Sequence, residues 1–147
     1  MIGAMLEAGE VRKRLRQTIE AAKRDAAARR TAMGEVQAAY DTFLEDHAVP
    51  VLRQVASALK AEGHVFQVLT PAGTARLVSD RTKDDYLEVV LDGARKAPEV
   101  IGRANRVRGS ELIADEQPIR ANARVSDLTD EDVLSWVLRV IVPFVER

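Results

Sequence analysis

The sequence contains no cysteine, which excludes a disulfide, a thiolate metal site and a cysteine nucleophile. Histidine occurs only at His47 and His64, and neither has a second histidine at ligand spacing. Aromatic residues make up 4% of the chain, which is little for a surface that stacks single-stranded nucleic acid. We therefore expect no metal and no cofactor.

Long apolar runs are also missing, since no stretch approaches the roughly 20 apolar residues that span a bilayer. The apolar start, Met1 to Leu6, lacks the basic region and the long apolar core of a signal peptide. The expected protein therefore has no membrane partner and is cytoplasmic, which the lack of cysteine also fits.

Charge of one sign is not in excess, because 22 basic and 23 acidic residues give a net charge of −1. The 147 residues are 46% hydrophobic and 31% charged, as in a globular protein. This balance excludes a uniformly basic nucleic-acid-binding protein but leaves a local basic patch open. The 17 arginines against 5 lysines indicate either a GC-rich, bacterial-like composition or selection for bidentate anion contacts.

Residues 5–62 have the composition of a helix, with no proline before Pro50 and only Gly9 and Gly34 as glycines. In the heptad register that places Met5 at position a and Ala8 at position d, ten of the thirteen a and d positions are apolar. This pattern is typical of a coiled-coil-like seam. The predicted self-association seam comprises Leu15, Ile19, Ala22, Ala26, Met33, Val36, Tyr40 and Phe43.

The length of this helix has a consequence for its packing. A helix of about 40 residues reaches about 60 Å, whereas a globule of this size is roughly 30–40 Å across. The helix must therefore project, fold back at a break, or pair with another chain. Gly34 and Pro50 are the candidate breaks, and the sequence leaves open whether Pro50 kinks one helix or separates two. Gly63, which follows Glu62, is the expected C-cap of the helix.

The rest of the chain predicts an antiparallel β-meander of three to five strands followed by a helix. Residues 64–70, 74–79 and 85–92 have strand patterns separated by short turns, and 100–108 and 112–119 are weaker candidates. Thr129 and Asp132 match a capping box that starts a closing helix, whose wide apolar face should pack on the sheet. Pro143 should distort the last turn of this helix. The expected fold is α+β, with a helical arm at 1–62 and a compact body at 63–147.

Familiar catalytic patterns are missing: the sequence has no phosphate-binding glycine loop and no G-x-S-x-G motif. The acidic pairs Asp84-Asp85 and Asp115-Glu116 are adjacent in sequence, so on strands their carboxylates would point to opposite faces. We expect no catalytic residues and no enzyme activity of a familiar class.

Two groups of arginines stand out as contacts for phosphates or an acidic partner, the alternative being solvated faces. Between Glu10 and Arg30 there are eight basic and three acidic residues. On a strand, Arg106 and Arg108 would share a face with Arg103 opposite. The candidate contacts are Arg12, Arg14, Arg16, Arg29, Arg30, Arg103, Arg106 and Arg108.

The leading hypothesis is a non-enzymatic interaction or adaptor protein that self-associates through its N-terminal helix, as a homodimer or else in a complex with another protein. One alternative is a nucleic-acid-associated protein that uses the basic helix. Another is a small-anion site in the body, which requires Arg76, Arg103, Arg106 and Arg108 to converge.

Overall fold

The computed structural model of the chain describes residues 5–94 and 97–146. Parts of the apolar start and of the predicted loop after the third strand lie outside the described residues, which leave out 1–4, 95–96 and 147. The chain begins with helix α1 (Ala8–Phe43), a π-helical segment (Leu44–Ala48) and helix α2 (Val49–Ala61).

The π-helical segment shows how the helix accommodates its proline. Pro50 has no N–H to donate to the carbonyl of Asp46, and its ring would crowd that carbonyl in an α-helix. The wider register removes this conflict, and the N–H of Val49 donates to the carbonyl of Leu44, five residues back. Pro50 then lies in the first turn of α2, where a missing donor is tolerated.

Helix α2 ends where the sequence predicts. Gly63 has a φ of 88°, in the left-handed region that favours glycine. The N–H of His64 donates to the carbonyl of Leu59 over 2.8 Å, and that of Gly63 donates to Lys60 over 3.0 Å. This pair of bonds is a Schellman motif and confirms Gly63 as the residue that terminates the helix.

Five antiparallel strands follow in the order of the chain, which confirms the two weaker strand predictions as well as the three stronger ones. Each strand pairs only with its neighbours in sequence, so the sheet is a simple meander. The strands are β1 (Phe66–Leu69), β2 (Ala75–Ser79), β3 (Tyr86–Asp92), β4 (Glu99–Arg108) and β5 (Glu111–Pro118).

The closing segment contains a 3₁₀ turn (Val125–Asp127), helix α3 (Asp130–Val140) and the short helix α4 (Val142–Val145). The capping box is confirmed, because Thr129 Oγ accepts from the N–H of Asp132 while the Asp132 carboxylate accepts from the N–H of Thr129. The expected distortion at Pro143 is also confirmed, since α3 ends at Val140.

One face of the sheet carries the core. The register aligns Leu77, Leu87 and Ala104 across three strands, and all three are buried. Trp136 of α3 lies directly over Gly102 of β4, where a Cβ would overlap the indole ring. The closing helix therefore packs on the sheet as predicted.

The chain divides into two compact units, one ending at Glu35 and the other beginning at Val36. The sequence instead places the boundary after residue 62. The difference arises because Tyr40, Phe43 and Leu52 are buried in the same core as the strands. From here on, the body is this second unit, which begins at Val36 and not at residue 63.

Candidate interaction surfaces

The N-terminal part of α1 has no buried side chain among residues 8–35. Three of its large aliphatic residues are exposed: Val11 is 48% exposed, Leu15 57% and Ile19 44%. The 3.6-residue period of a helix puts them on one face. We call this face the apolar stripe; it consists of Val11, Leu15, Ile19, Ala22, Ala26 and Met33.

The predicted self-association seam is too long at its C-terminal end. Tyr40 and Phe43 are 1% and 2% exposed and belong to the core of the body, and Val36 is packed against that core. These side chains already have intramolecular partners, so they are unavailable to a second chain. The predicted seam residues that stay outside this core are Leu15, Ile19, Ala22, Ala26 and Met33.

A row of basic residues borders the apolar stripe. At 100° per residue, Arg12, Arg16, Lys23 and Arg30 fall along one edge of the stripe, and all four are exposed. We call these four residues the basic row. The other basic candidates lie elsewhere on the helix: Arg14 Nε contacts Glu10 over 2.9 Å, and Arg29 interrupts the stripe.

Tyr40 joins α1 to the sheet within the body. Its hydroxyl donates to the carbonyl of Gly73 over 2.6 Å and also lies 3.3 Å from the carbonyl of Val89. Burial raises the pKa of Tyr40 well above its usual range, and the negative charges of Glu88 and Asp41 raise it further. The hydroxyl therefore stays protonated and bonded to the strands.

The second face of the sheet carries a row of alternating charges. The register aligns Arg76, Glu88, Arg103 and Glu116 across β2 to β5. Arg76 Nε lies 2.7 Å from the buried Glu88 carboxylate, and Arg103 Nε lies 2.7 Å from Glu116. Because each cation has an anionic neighbour, this row neutralises itself and offers no site for an added anion.

The other arginines of β4 face away from that row. Arg106 and Arg108 lie on the opposite face from Arg103, as strand alternation predicts. Arg106 lines a cavity of about 200 Å³ together with Arg139 and Phe144. Since the four arginines are divided between two faces, the small-anion site that requires their convergence is not formed.

His47 and Asp85 have structural contacts. His47 Nδ1 lies 2.6 Å from a carboxylate oxygen of Asp130, the first residue of α3. The Asp85 carboxylate accepts from the N–H of Val107 over 2.8 Å and so ties a turn to β4. Within the described residues there is no group of three potential metal ligands.

A groove between α2 and α3 was not predicted from the sequence. Its apolar lining is formed by Val51, Val55, Ala58 and Leu134, and its volume is about 280 Å³. Asp130 and Glu131 line it as well, and no residue of the lining is basic. We call it the acidic groove. The sequence indicates an apolar face on α2 and another on α3. The exposed gap between these two helices depends on tertiary packing.

No family model matches the chain, and no curated protein or solved structure is significantly similar to it. Among the described residues, no helix has the length and apolar character required to cross a membrane.

Proposed function

We propose that this chain is a non-enzymatic interaction protein that self-associates through the apolar stripe of its N-terminal helix. The observation that carries the proposal is the exposure of Val11, Leu15 and Ile19 on a single helix face. Isolated surface hydrophobic residues need no explanation, but a contiguous row of them marks an interaction site.

The assembly should depend on protein concentration. Burying the exposed parts of Val11, Leu15 and Ile19 in a dimer would stabilise it. Association opposes this through the loss of translational and rotational freedom. We therefore expect an assembly whose dissociation can be followed by dilution.

The test is the mass in solution by light scattering at low and high salt. We expect a dimer mass that persists in high salt, because burial of apolar surface is not screened by ions. Replacing Leu15 and Ile19 by glutamate should yield a monomer, whereas Val65→Glu, at an equally exposed position of the body, should not. A wild-type monomer at every concentration would contradict self-association and direct attention to a different partner protein.

The basic row favours a second candidate function, sequence-independent binding to nucleic acid. Its support is the excess of five positive charges between Glu10 and Arg30. Binding to phosphates releases counterions, so the affinity should fall steeply as salt rises. Mobility-shift assays with duplex DNA and RNA at low salt test this candidate, and absence of any shift would contradict it.

A further inference from the structure

We propose that the acidic groove of the body is the receptor for the apolar stripe of a second copy, so that two chains exchange their N-terminal helices. This inference rests on the proposed self-association and names the surface that the helix contacts. The alternative is that the two N-terminal helices pair directly with each other.

Direct pairing of the helices is disfavoured by the charges that border the stripe. In the heptad register, Arg16, Lys23 and Arg30 all occupy e positions. An antiparallel pair would place these basic e positions opposite one another, where like charges repel. A parallel pair would face them with g positions, of which only Asp25 is acidic.

The acidic groove has the complementary chemistry. Its floor is aliphatic, and Asp130 and Glu131 supply negative charge at its border. Asp130 contacts His47 and Glu131 accepts from Ser135 Oγ, but both residues are exposed, so their other carboxylate oxygens are accessible to a second chain. A helix that buries Leu15 and Ile19 in this floor would bring the adjacent basic row towards these acids.

The groove matches the middle part of the stripe in length, while the whole stripe from Val11 to Met33 is longer. The lining of the groove on α2 extends from Val51 to Ala58, and Leu15 to Ala22 covers the same number of residues on α1. Both spans are two helical turns, or about 10 Å. On α3 the apolar surface continues beyond Leu134 to Leu138, which is 61% exposed.

Reciprocal exchange also explains why the assembly would close at two copies. Each chain presents one stripe and one groove, and a two-fold axis lets both contacts form at once.

Site-specific crosslinking tests this arrangement, because the chain has no cysteine of its own. Two single-cysteine variants, Ile19→Cys and Ala58→Cys, are mixed, one of them carrying a mass tag, and treated with a short thiol-reactive crosslinker. We expect a crosslinked product that contains one copy of each variant. Leu112→Cys, at an exposed position on β5, replaces Ala58→Cys as the matched control and should yield no such product.

The other outcomes of the crosslinking distinguish the proposed self-association from the proposed contact with the acidic groove. Crosslinking of Ile19→Cys only with itself would overturn the groove as receptor and leave self-association standing. A monomer mass without any crosslink would overturn both.

Charge reversal provides an independent measurement on the full chain. Because a two-fold dimer contains this exposed charge contact twice, Glu131→Lys should weaken dimerisation about tenfold, whereas Glu111→Lys, at an exposed glutamate on β5, should not. Adding Arg16→Glu to Glu131→Lys should recover part of the lost affinity. An unchanged dissociation constant for Glu131→Lys would overturn the contact.

Discussion

Two stretches of the same helix behave differently. Between residues 8 and 35 no side chain of α1 is buried, while Tyr40 and Phe43 near its end are almost completely inaccessible to solvent. Both stretches carry the same apolar period, so periodicity alone does not decide whether a helix face packs inside its own chain. What differs is the partner: the C-terminal stretch contributes to the core of the body.

The largest expected effect contrasts Phe43 with Leu15. Phe43→Ala should destabilise the body by about 3–5 kcal/mol, because it leaves a cavity in the core. Leu15→Ala removes an exposed side chain and should change the stability of the body by less than about 0.5 kcal/mol. Urea unfolding followed by the fluorescence of Trp136 measures both, and equal effects would contradict the division between the two stretches.

The next contrast compares two glycines. Gly102→Ala should destabilise by about 1–3 kcal/mol or more, because its methyl group would overlap the ring of Trp136. Gly34 lies in α1 with open space around it, so Gly34→Ala should stabilise the helix by about 0.5–1 kcal/mol. Thermal unfolding by circular dichroism follows both variants, and a neutral Gly102→Ala would show that the indole does not require this close approach.

A smaller effect tests the start of the closing helix. Thr129→Ala removes the hydroxyl that accepts from the N–H of Asp132 and should destabilise the body by about 1 kcal/mol. Thr129→Ser keeps the hydroxyl and serves as the matched control. If both variants lose the same stability in urea, the capping bond is not the cause.

The smallest effect concerns pH. The pKa of Tyr40 is raised in the folded state, so its stabilising contribution is complete below the pKa of an unfolded tyrosine, about 10, and is lost as the pH rises above it. From pH 9.5 to 10.5 this loss should be about 0.7 kcal/mol. Tyr40→Phe should lack this part of the alkaline slope, whereas Tyr86→Phe should retain it. Identical slopes in the two variants would contradict the assignment to Tyr40.

The sequence predicts those features of the fold that depend on neighbours in the chain. The alternating residues of the five strands, the capping residues Thr129 and Asp132, and the terminating Gly63 are all local signals, and the structure has each of them. The π-helical segment was not predicted, because a change in hydrogen-bond register around Pro50 leaves little trace in apolar periodicity.

Apart from the packing of the closing helix on the sheet, the features that depend on distant contacts were not predicted. The heptad pattern does not distinguish Tyr40, which bonds to the carbonyls of Gly73 and Val89, from Ile19, which stays exposed. The acidic groove likewise forms only where α2 lies beside α3, and these two helices are far apart in the sequence. For the candidate surfaces, the sequence predicted the apolar and basic residues of α1. The structure shows how far along the helix these residues stay exposed.

The most direct test of the account is amide hydrogen exchange as a function of protein concentration. Residues 8–35 have no buried side chain within the described chain, so their helix should be weakly protected at high dilution and gain protection as copies associate. The amides of β2 to β4 should keep the same high protection throughout. Full protection of residues 8–35 at the lowest concentration would show that this helix needs no second copy and would contradict the account.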